Sequence, residues 1–226
     1  MARRAYNQFC SLAWSLDVVG ERWTLLLVRE LMSGPKRYTD LAGALDGIGS
    51  SLLAARLRQL EDDDIIAQRH LPPPAATTVY ELTTVGTELA EALLPLVLWG
   101  ARHRADAQNP GDPYRAEWAL GFIAQLIDRD ALAETDYTYR FRLGETEAYL
   151  RASSREVTVR PGPLDRFDAT VATDPGTVID ISAGRLALSE AITTGRVTVD
   201  GDPDALTKLF QVFPDRIPDR VRITAE

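Results

Sequence analysis

Between Ser50 and Asp62 the sequence reads SSLLAARLRQLED. At 100° per residue the leucines of this stretch share one face of a helix, and small or polar residues occupy the opposite face. The first set is Leu53, Leu57 and Leu60, and the second is Ser51, Ala55 and Arg58. A helix with a narrow apolar stripe and a small polar outer face is suited to lie against another molecule.

The residues on either side predict a winged-helix arrangement. Apolar spacing and turn residues predict helices over Phe9–Leu16, Glu21–Met32 and Thr39–Leu45, strands over Ile65–Leu71 and Thr78–Thr83, and a long helix from Val85 to about Arg104. In this arrangement the Ser50–Asp62 helix enters a DNA major groove and the hairpin reaches the adjacent groove or backbone. A three-helix domain used only for protein contact is the alternative interpretation.

Polar and basic residues around this helix are the candidate DNA contacts. Ser50, Ser51 and Arg58 face the groove, although Ser50 or Gly49 is also suited to cap the helix. The loop and strand candidates are Lys36, Arg37, Arg69 and His70. The loop tip of the hairpin, residues 74–77, carries no charge, and the run 62–64 of three aspartates would repel phosphate.

The second half of the chain predicts an α+β layer, with one antiparallel sheet covered on one face by helices. The predicted helices are Tyr114–Arg129, one opening at Asp174-Pro175, Ser189–Thr194 and one opening at Asp202-Pro203; the predicted strands start at Tyr137, Glu147, Arg155, Phe167 and Arg196. A ligand pocket between sheet and helices would be lined by Trp118, Phe122, Tyr139, Phe141, Leu186, Ile192, Leu209 and Phe213. The same side chains are equally suited to an ordinary closed core.

The charge distribution separates the two halves. The chain of 226 residues has a net charge of −8, and residues 106–226 carry 14 basic and 21 acidic residues against 11 and 12 in residues 1–105. Turn-forming Asn-Pro and Asp-Pro pairs cluster in residues 106–113. The sequence therefore predicts a DNA-binding and dimerisation domain over 1–105, a linker over 106–113 and a second domain over 114–226.

Several function classes find no support in the sequence. The single cysteine, Cys10, and the two histidines, His70 and His103, lack the spacing of a metal site. A glycine-rich phosphate loop, a Gly-x-Ser-x-Gly elbow and a histidine paired with a nucleophile are absent, so we expect no enzyme and no cofactor. No apolar run approaches the roughly 18–20 residues of a membrane span, so we expect a cytoplasmic protein without membrane insertion.

Four segments of the first half resemble HxlR-type winged-helix transcriptional regulators. They are CSLAWSLDVVGERWTLLLVREL at Cys10–Leu31, GPKRYTDL at Gly34–Leu41, RLRQLE at Arg56–Glu61 and VYELTTVG at Val79–Gly86. The resemblance implies a homodimer with paired terminal helices and with recognition helices in successive major grooves. Cys10 matches a cysteine that some family members use as a redox switch; a small buried hydrophobe is the alternative.

Two segments of the second half resemble the sterol-carrier-protein fold. They are DATVATD at Asp168–Asp174 and AGRLALSEAITTGRVTVDGDP at Ala183–Pro203. The resemblance implies an apolar tunnel that holds a lipid-like molecule. Together the two resemblances imply a DNA-binding regulator modulated by a small hydrophobic ligand. The alternatives are a lipid carrier or scaffold that uses the winged helix only to dimerise, and a regulator that senses oxidants through Cys10.

Overall fold

The computed structural model describes residues 5–105, 109, 111–127, 129–132, 136–154 and 156–212. The chain divides into two units between Ala90 and Glu91. Each unit has its own set of buried apolar side chains.

The first unit contains four helices and a two-stranded hairpin. Their bounds are Ser11–Val19 (α1), Thr24–Leu31 (α2), Tyr38–Ala44 (α3), Ser50–Asp62 (α4), Ile66–Leu71 (β1) and Thr77–Leu82 (β2). A fifth helix, α5 at Thr84–His103, begins in this unit and ends in the second one. The predicted order of helices, hairpin and long helix is confirmed, and α4 has the predicted bounds.

The apolar stripe of α4 holds this unit together. Leu53, Leu57 and Leu60 are at most 2% exposed, alongside buried leucines of α2 and α3. Burial of one such side chain contributes about 1.5–3 kcal/mol. At the start of α5, Gly86 approaches the Ile65 carbonyl so closely that a Cβ would collide with its oxygen, so only glycine fits there.

The second unit holds a five-stranded sheet with helices. Its elements are Ala116–Ile123 (α6), Asp136–Leu143 (β3), Thr146–Ser153 (β4), Glu156–Pro161 (β5), Ala169–Thr173 (β6), Pro175–Ser182 (α7), Leu188–Thr193 (α8), Thr198–Gly201 (β7) and Pro203–Val212 (α9). The strand order is β5-β4-β3-β6-β7. This confirms the predicted α+β class.

One detail of the predicted sheet is wrong, because the sheet is mixed rather than antiparallel. β6 pairs with the central strand β3 in parallel, with Tyr139 opposite Ala169, while the other neighbouring strands pair antiparallel. β5 and β6 therefore run in the same direction, and the connection 162–168 has to return along the sheet before β6 begins. Alternation of side chains predicts strands but does not report their direction.

The predicted helix over Tyr114–Arg129 is also too long. α6 ends at Ile123, and the core side of this segment carries Ala116, Leu120, Ala124 and Ile127 rather than the aromatic residues. Trp118 is 200° around the helix from Ala116, so the aromatic stripe lies on a different face.

Among the described helices, none combines the length and the apolar character needed to cross a membrane.

Candidate nucleic-acid interface

The outward face of α4 consists of small and polar side chains. Ser50, Ser51, Ala55 and Arg58 are exposed, opposite the buried leucines. Within the described part of the chain, Arg58 forms no hydrogen bond or ion pair. This helix therefore presents one available guanidinium group on a face of small and polar side chains.

The N-terminus of α4 is open towards solvent. Gly49 is the residue before the first turn, and no described side chain caps that turn. The serine side chains at the start of the helix therefore leave the first backbone N–H groups available to an anion such as phosphate. On the other side of the first turn, the Tyr38 hydroxyl donates to the Ser50 carbonyl at 2.9 Å, which ties α4 to α3.

The two basic residues before α3 have different environments. Arg37 is exposed, and its backbone N–H donates to the Asp40 carboxylate at 2.9 Å. Lys36 is only 8% exposed, and its backbone forms a two-way bridge with Tyr80 of β2 at 3.0 and 2.8 Å. Lys36 thus forms an isolated bridge beside the wing, with little of its surface exposed.

The basic residues of the wing are exposed, but one of them is already paired. The Arg69 Nε donates to both carboxylate oxygens of Glu81 at 2.9 Å, and this hydrogen bonding raises the arginine pKa. His70 is exposed on the same strand. Residues 72–76 at the loop tip are exposed and uncharged, so the wing offers DNA little free positive charge.

A tyrosine on β2 lies within electrostatic reach of α4. The pKa of Tyr80 is raised mainly by burial and secondarily by the negative charge of Glu61, while the positive charge of Arg58 lowers it. The charges of Arg58 and Glu61 on α4 therefore act on the Tyr80 hydroxyl of the wing.

The predicted pocket residues of the second unit differ in burial and in whether they belong to its hydrophobic core. Tyr139, Phe141 and Leu209 are at most 5% exposed in the hydrophobic core, and Leu186 and Ile192 pack against that core. Trp118 and Phe122 are half-buried and are not members of this cluster. Phe213 lies outside the described residues.

Tyr139 is fixed by a polar contact inside this core. Its hydroxyl donates to the Ala205 carbonyl at 3.1 Å, joining the central strand to α9. Burial raises the pKa of this phenol, which keeps it protonated and donating. The contact satisfies the one polar atom of a side chain that is otherwise packed among apolar groups.

Sequence analysis missed an open polar cleft of about 850 Å³ in the second unit. Its lining is Asp136, Thr138, Arg151, Asp165, Arg166, Phe167 and Asp168. Arg151 pairs with Asp136 at 3.1 Å, and the Asp168 carboxylate accepts from the Thr138 N–H at 2.6 Å. Asp136 and Thr138 belong to β3, whose alternating burial a sequence pattern can predict. The position of residues 165–168 beside this strand depends on the tertiary structure, which no local pattern predicts.

Two further site expectations concern reactive or metal-binding groups. Cys10 is a free, exposed thiol, so its interpretation as a buried hydrophobe is wrong. The described residues contain no group of histidine, cysteine and carboxylate side chains that could hold a metal ion.

A two-stranded wing, the helices before it and the exposed polar face of α4 define a winged helix-turn-helix protein of the DNA-binding class. Residues 18–108 match the HxlR-like helix-turn-helix family, and residues 122–214 match the SCP-2 sterol transfer family. The chain belongs to the HxlR-like family of transcriptional regulators and carries an SCP-2-like domain after the winged helix.

Relatives of known name match the first half. The HTH-type transcriptional regulator YodB of Bacillus subtilis is 32% identical over 85 residues, which are 38% of this chain and 76% of that one. The uncharacterized HTH-type transcriptional regulator YtcD of the same organism is 32% identical over 106 residues, covering 46% and 80% of the two chains. The solved structure of reduced YodB has a TM-score of 0.39 at 28% identity, covering 45% of this chain and all of that one.

The matches bear on the alternatives left open by the sequence. The relatives are named as transcriptional regulators, and the matched families indicate no catalytic activity. The interpretation as a thiol-based redox sensor is not favoured, since each chain has one cysteine and an oxidised Cys10 could form only a mixed disulfide or a disulfide between subunits.

Proposed function

We propose that the protein binds a specific DNA operator as a homodimer, in the cytoplasm, and that a small hydrophobic ligand in its second domain modulates this binding. Sequence-specific DNA binding is supported best by the exposed face of α4. Arg58 is available on this face, while the leucines of the helix are buried. An arginine in the major groove donates two hydrogen bonds to a guanine edge, the commonest specific contact.

The other residues predicted to contact DNA lie in different environments. Ser50 and Ser51, with the open first turn of α4, are placed for phosphate oxygens, and exposed Arg37 adds a positive charge before α3. Arg69 and His70 are secondary contacts, because Glu81 already neutralises the arginine. We leave Lys36 out of the proposed interface because of its burial.

Exposed apolar side chains support the homodimer. Phe9 is 98% exposed, Leu12 66% and Trp14 49%, and the rings of Phe9 and Trp14 meet edge to face at 5.3 Å. On α5, Leu96 and Trp99 are exposed at helical spacing. Apolar groups of this size are typical of protein interfaces, and a second copy of the chain is the partner we propose.

The two halves of the chain differ in net charge, and we assign them different functions. We propose that residues 1–105 bind DNA and dimerise, that 106–113 form a linker and that 114–226 bind the ligand. The SCP-2 match and the aromatic side chains Tyr139 and Phe141 support an apolar ligand class such as a lipid or sterol. A ligand with different affinities for two arrangements of the dimer, coupled by about 1–3 kcal/mol, changes operator affinity roughly 5–150-fold.

The test of DNA binding uses the full chain and a labelled fragment of its own promoter region. We expect retardation of this fragment at concentrations that leave a scrambled fragment of equal length free, and affinity that falls steeply with salt as counterions are released. Equal affinity for both fragments across the salt series would exclude sequence-specific regulation.

The test of ligand control is native mass spectrometry of the purified chain, followed by titration with the co-purified apolar molecule. We expect a mass increase that organic extraction removes, and a shift in operator affinity when the molecule is returned. A shift of less than twofold at saturating ligand would exclude the regulatory role.

A further inference from the structure

Arg56 lies on α4 two residues before Arg58, but its side chain turns into the protein. The side chain is 16% exposed, and its Nε is buried. Its Nη2 donates to the Glu21 carboxylate at 2.6 Å, and its Nη1 donates to the Gln59 side-chain oxygen at 2.8 Å. The guanidinium group is therefore committed to the protein, unlike that of exposed Arg58.

Glu21 lies in the short connection between α1 and α2, where the backbone is closely constrained. Gly20, which ends α1, donates its N–H to the Leu16 carbonyl at 2.8 Å, and a Cβ at Gly20 would crowd the same oxygen. Trp23 has a left-handed φ of 81°, and the guanidinium of Arg22 lies 4.9 Å from its ring centroid. The Glu21 carboxylate, on a side chain that is 56% exposed, accepts a hydrogen bond from Arg56.

The ion pair joins two segments that are 35 positions apart in the sequence. The buried leucines fix the depth of α4 in the unit, but apolar packing is non-directional, so rotation and sliding of the helix are resisted by polar contacts such as the Tyr38–Ser50 hydrogen bond. The hydrogen bond from Arg56 to Glu21 at 2.6 Å is charge-assisted and directional, so it resists both motions, whereas the bond to Gln59 lies within α4 and orients the arginine side chain.

We propose that Arg56 is a positioning residue, which the Glu21 carboxylate holds so that α4 presents Arg58 and the serines in the register that the operator requires. The inference rests on the proposed DNA-binding function. Arg56 acts through the orientation of the helix and does not touch DNA. Loss of the pair consequently weakens recognition of the operator without weakening the sequence-independent attraction to phosphate.

The experiment measures fluorescence anisotropy of the full chain with the operator fragment and with a scrambled fragment, each over a salt series. The variants are Glu21→Gln, Arg56→Lys and the charge exchange Glu21→Arg with Arg56→Glu. The matched control is Glu88→Gln at an exposed carboxylate of α5. Thermal melting of each variant sets a temperature at which all of them are folded.

We expect Glu21→Gln to weaken operator binding about threefold per recognition helix, hence about tenfold for a dimer on two half-sites. Affinity for scrambled DNA and the slope against salt should match those of Glu88→Gln, which loses the same negative charge. Arg56→Lys should behave similarly, because an ammonium group cannot bridge Glu21 and Gln59 in the same planar geometry. The charge exchange should recover part of the lost discrimination.

Two results would overturn the inference. One is equal discrimination by Glu21→Gln and Glu88→Gln; the other is a parallel loss of operator and scrambled binding with a shallower salt slope, which would make Arg56 a DNA contact. If wild type itself fails to distinguish the two fragments, the proposed function fails and the inference fails with it. If wild type discriminates and the Glu21 and Arg56 variants do so equally, the inference alone fails.

Discussion

Arg69 and Glu81 form a bidentate ion pair across the two strands of the wing. The Arg69 Nε lies 2.9 Å from each carboxylate oxygen of Glu81, and its Nη2 lies 2.8 Å from one of them. The pair is diagonal in the register, since Arg69 is directly opposite Val79 and Glu81 is opposite Ala67. The wing is consequently almost neutral where a DNA-binding wing would usually be basic.

Glu81→Gln should therefore strengthen DNA binding, because it releases the positive charge of Arg69. We expect a gain of about two- to fivefold at low salt, with a steeper dependence on salt. Arg69→Ala should remove this gain in the Glu81→Gln background and weaken binding in the wild-type background, because it leaves the negative charge of Glu81 unpaired. A wing that makes no approach to DNA would show no gain in any of these variants.

Arg58→Ala should weaken operator binding by about 1–3 kcal/mol per half-site and lower the discrimination between operator and scrambled DNA. Arg160→Ala, at an exposed arginine of β5, is the control for a lost positive charge. Anisotropy titrations at two salt concentrations distinguish the variants. Equal effects of the two substitutions would show that Arg58 contributes charge alone.

Leu57→Ala should lower the free energy of unfolding of the first unit by about 2–5 kcal/mol, because it leaves a cavity under α4. Leu52→Ala changes the same residue type on the same helix at a side chain that is 38% exposed, and should cost less than about 1 kcal/mol. Urea denaturation followed by circular dichroism measures both. Similar costs would mean that α4 is not anchored by its leucine stripe.

Asp174 should make the stability of the second unit depend on pH in the acid range. Its carboxylate caps α7 by accepting from the Thr177 N–H at 2.9 Å and from the Thr177 hydroxyl at 2.6 Å. These hydrogen bonds, with the hydroxyl contribution largest, lower the pKa of Asp174. A lowered pKa in the folded state means stability that is present at neutral pH and is lost as the carboxylate is protonated.

We expect Asp174→Ala to reduce stability by about 1 kcal/mol at neutral pH, while Asp174→Asn stays close to wild type because asparagine also caps helices. The advantage of wild type over the alanine variant should shrink below about pH 5 and vanish once the pH is below the lowered pKa. Denaturation curves at several pH values provide the comparison. A constant difference between these two proteins down to acid pH would contradict the capping role of the ionised group.

α4 could be predicted from the sequence because two local signals coincide there. Its leucines recur at helical spacing, and Ser50 or Gly49 is suited to cap its first turn. The cap of α7 was equally accessible, since an aspartate followed by proline at the first helical position is a local signal.

The misplaced features depend on tertiary structure. In the α6 segment the bulky side chains of Trp118 and Phe122 suggest the buried face, but Ala116, Leu120, Ala124 and Ile127 belong to the core. The burial of Lys36 follows from its bridge to Tyr80, which no local pattern announces. The pairing of Arg56 with Glu21 joins distant positions and is likewise invisible in the sequence alone.

The parallel pairing of β3 with β6 has a consequence for the order of folding. The β3–β4 hairpin closes between Leu143 and Thr146, whereas the β3–β6 pair joins Tyr139 to Ala169 across 30 positions. Contacts that are close in the sequence form first, because less chain entropy is lost in closing them. During synthesis, β3, β4 and β5 can therefore pair before residues 169–173 have left the ribosome. The other edge of β3 stays unpaired until then.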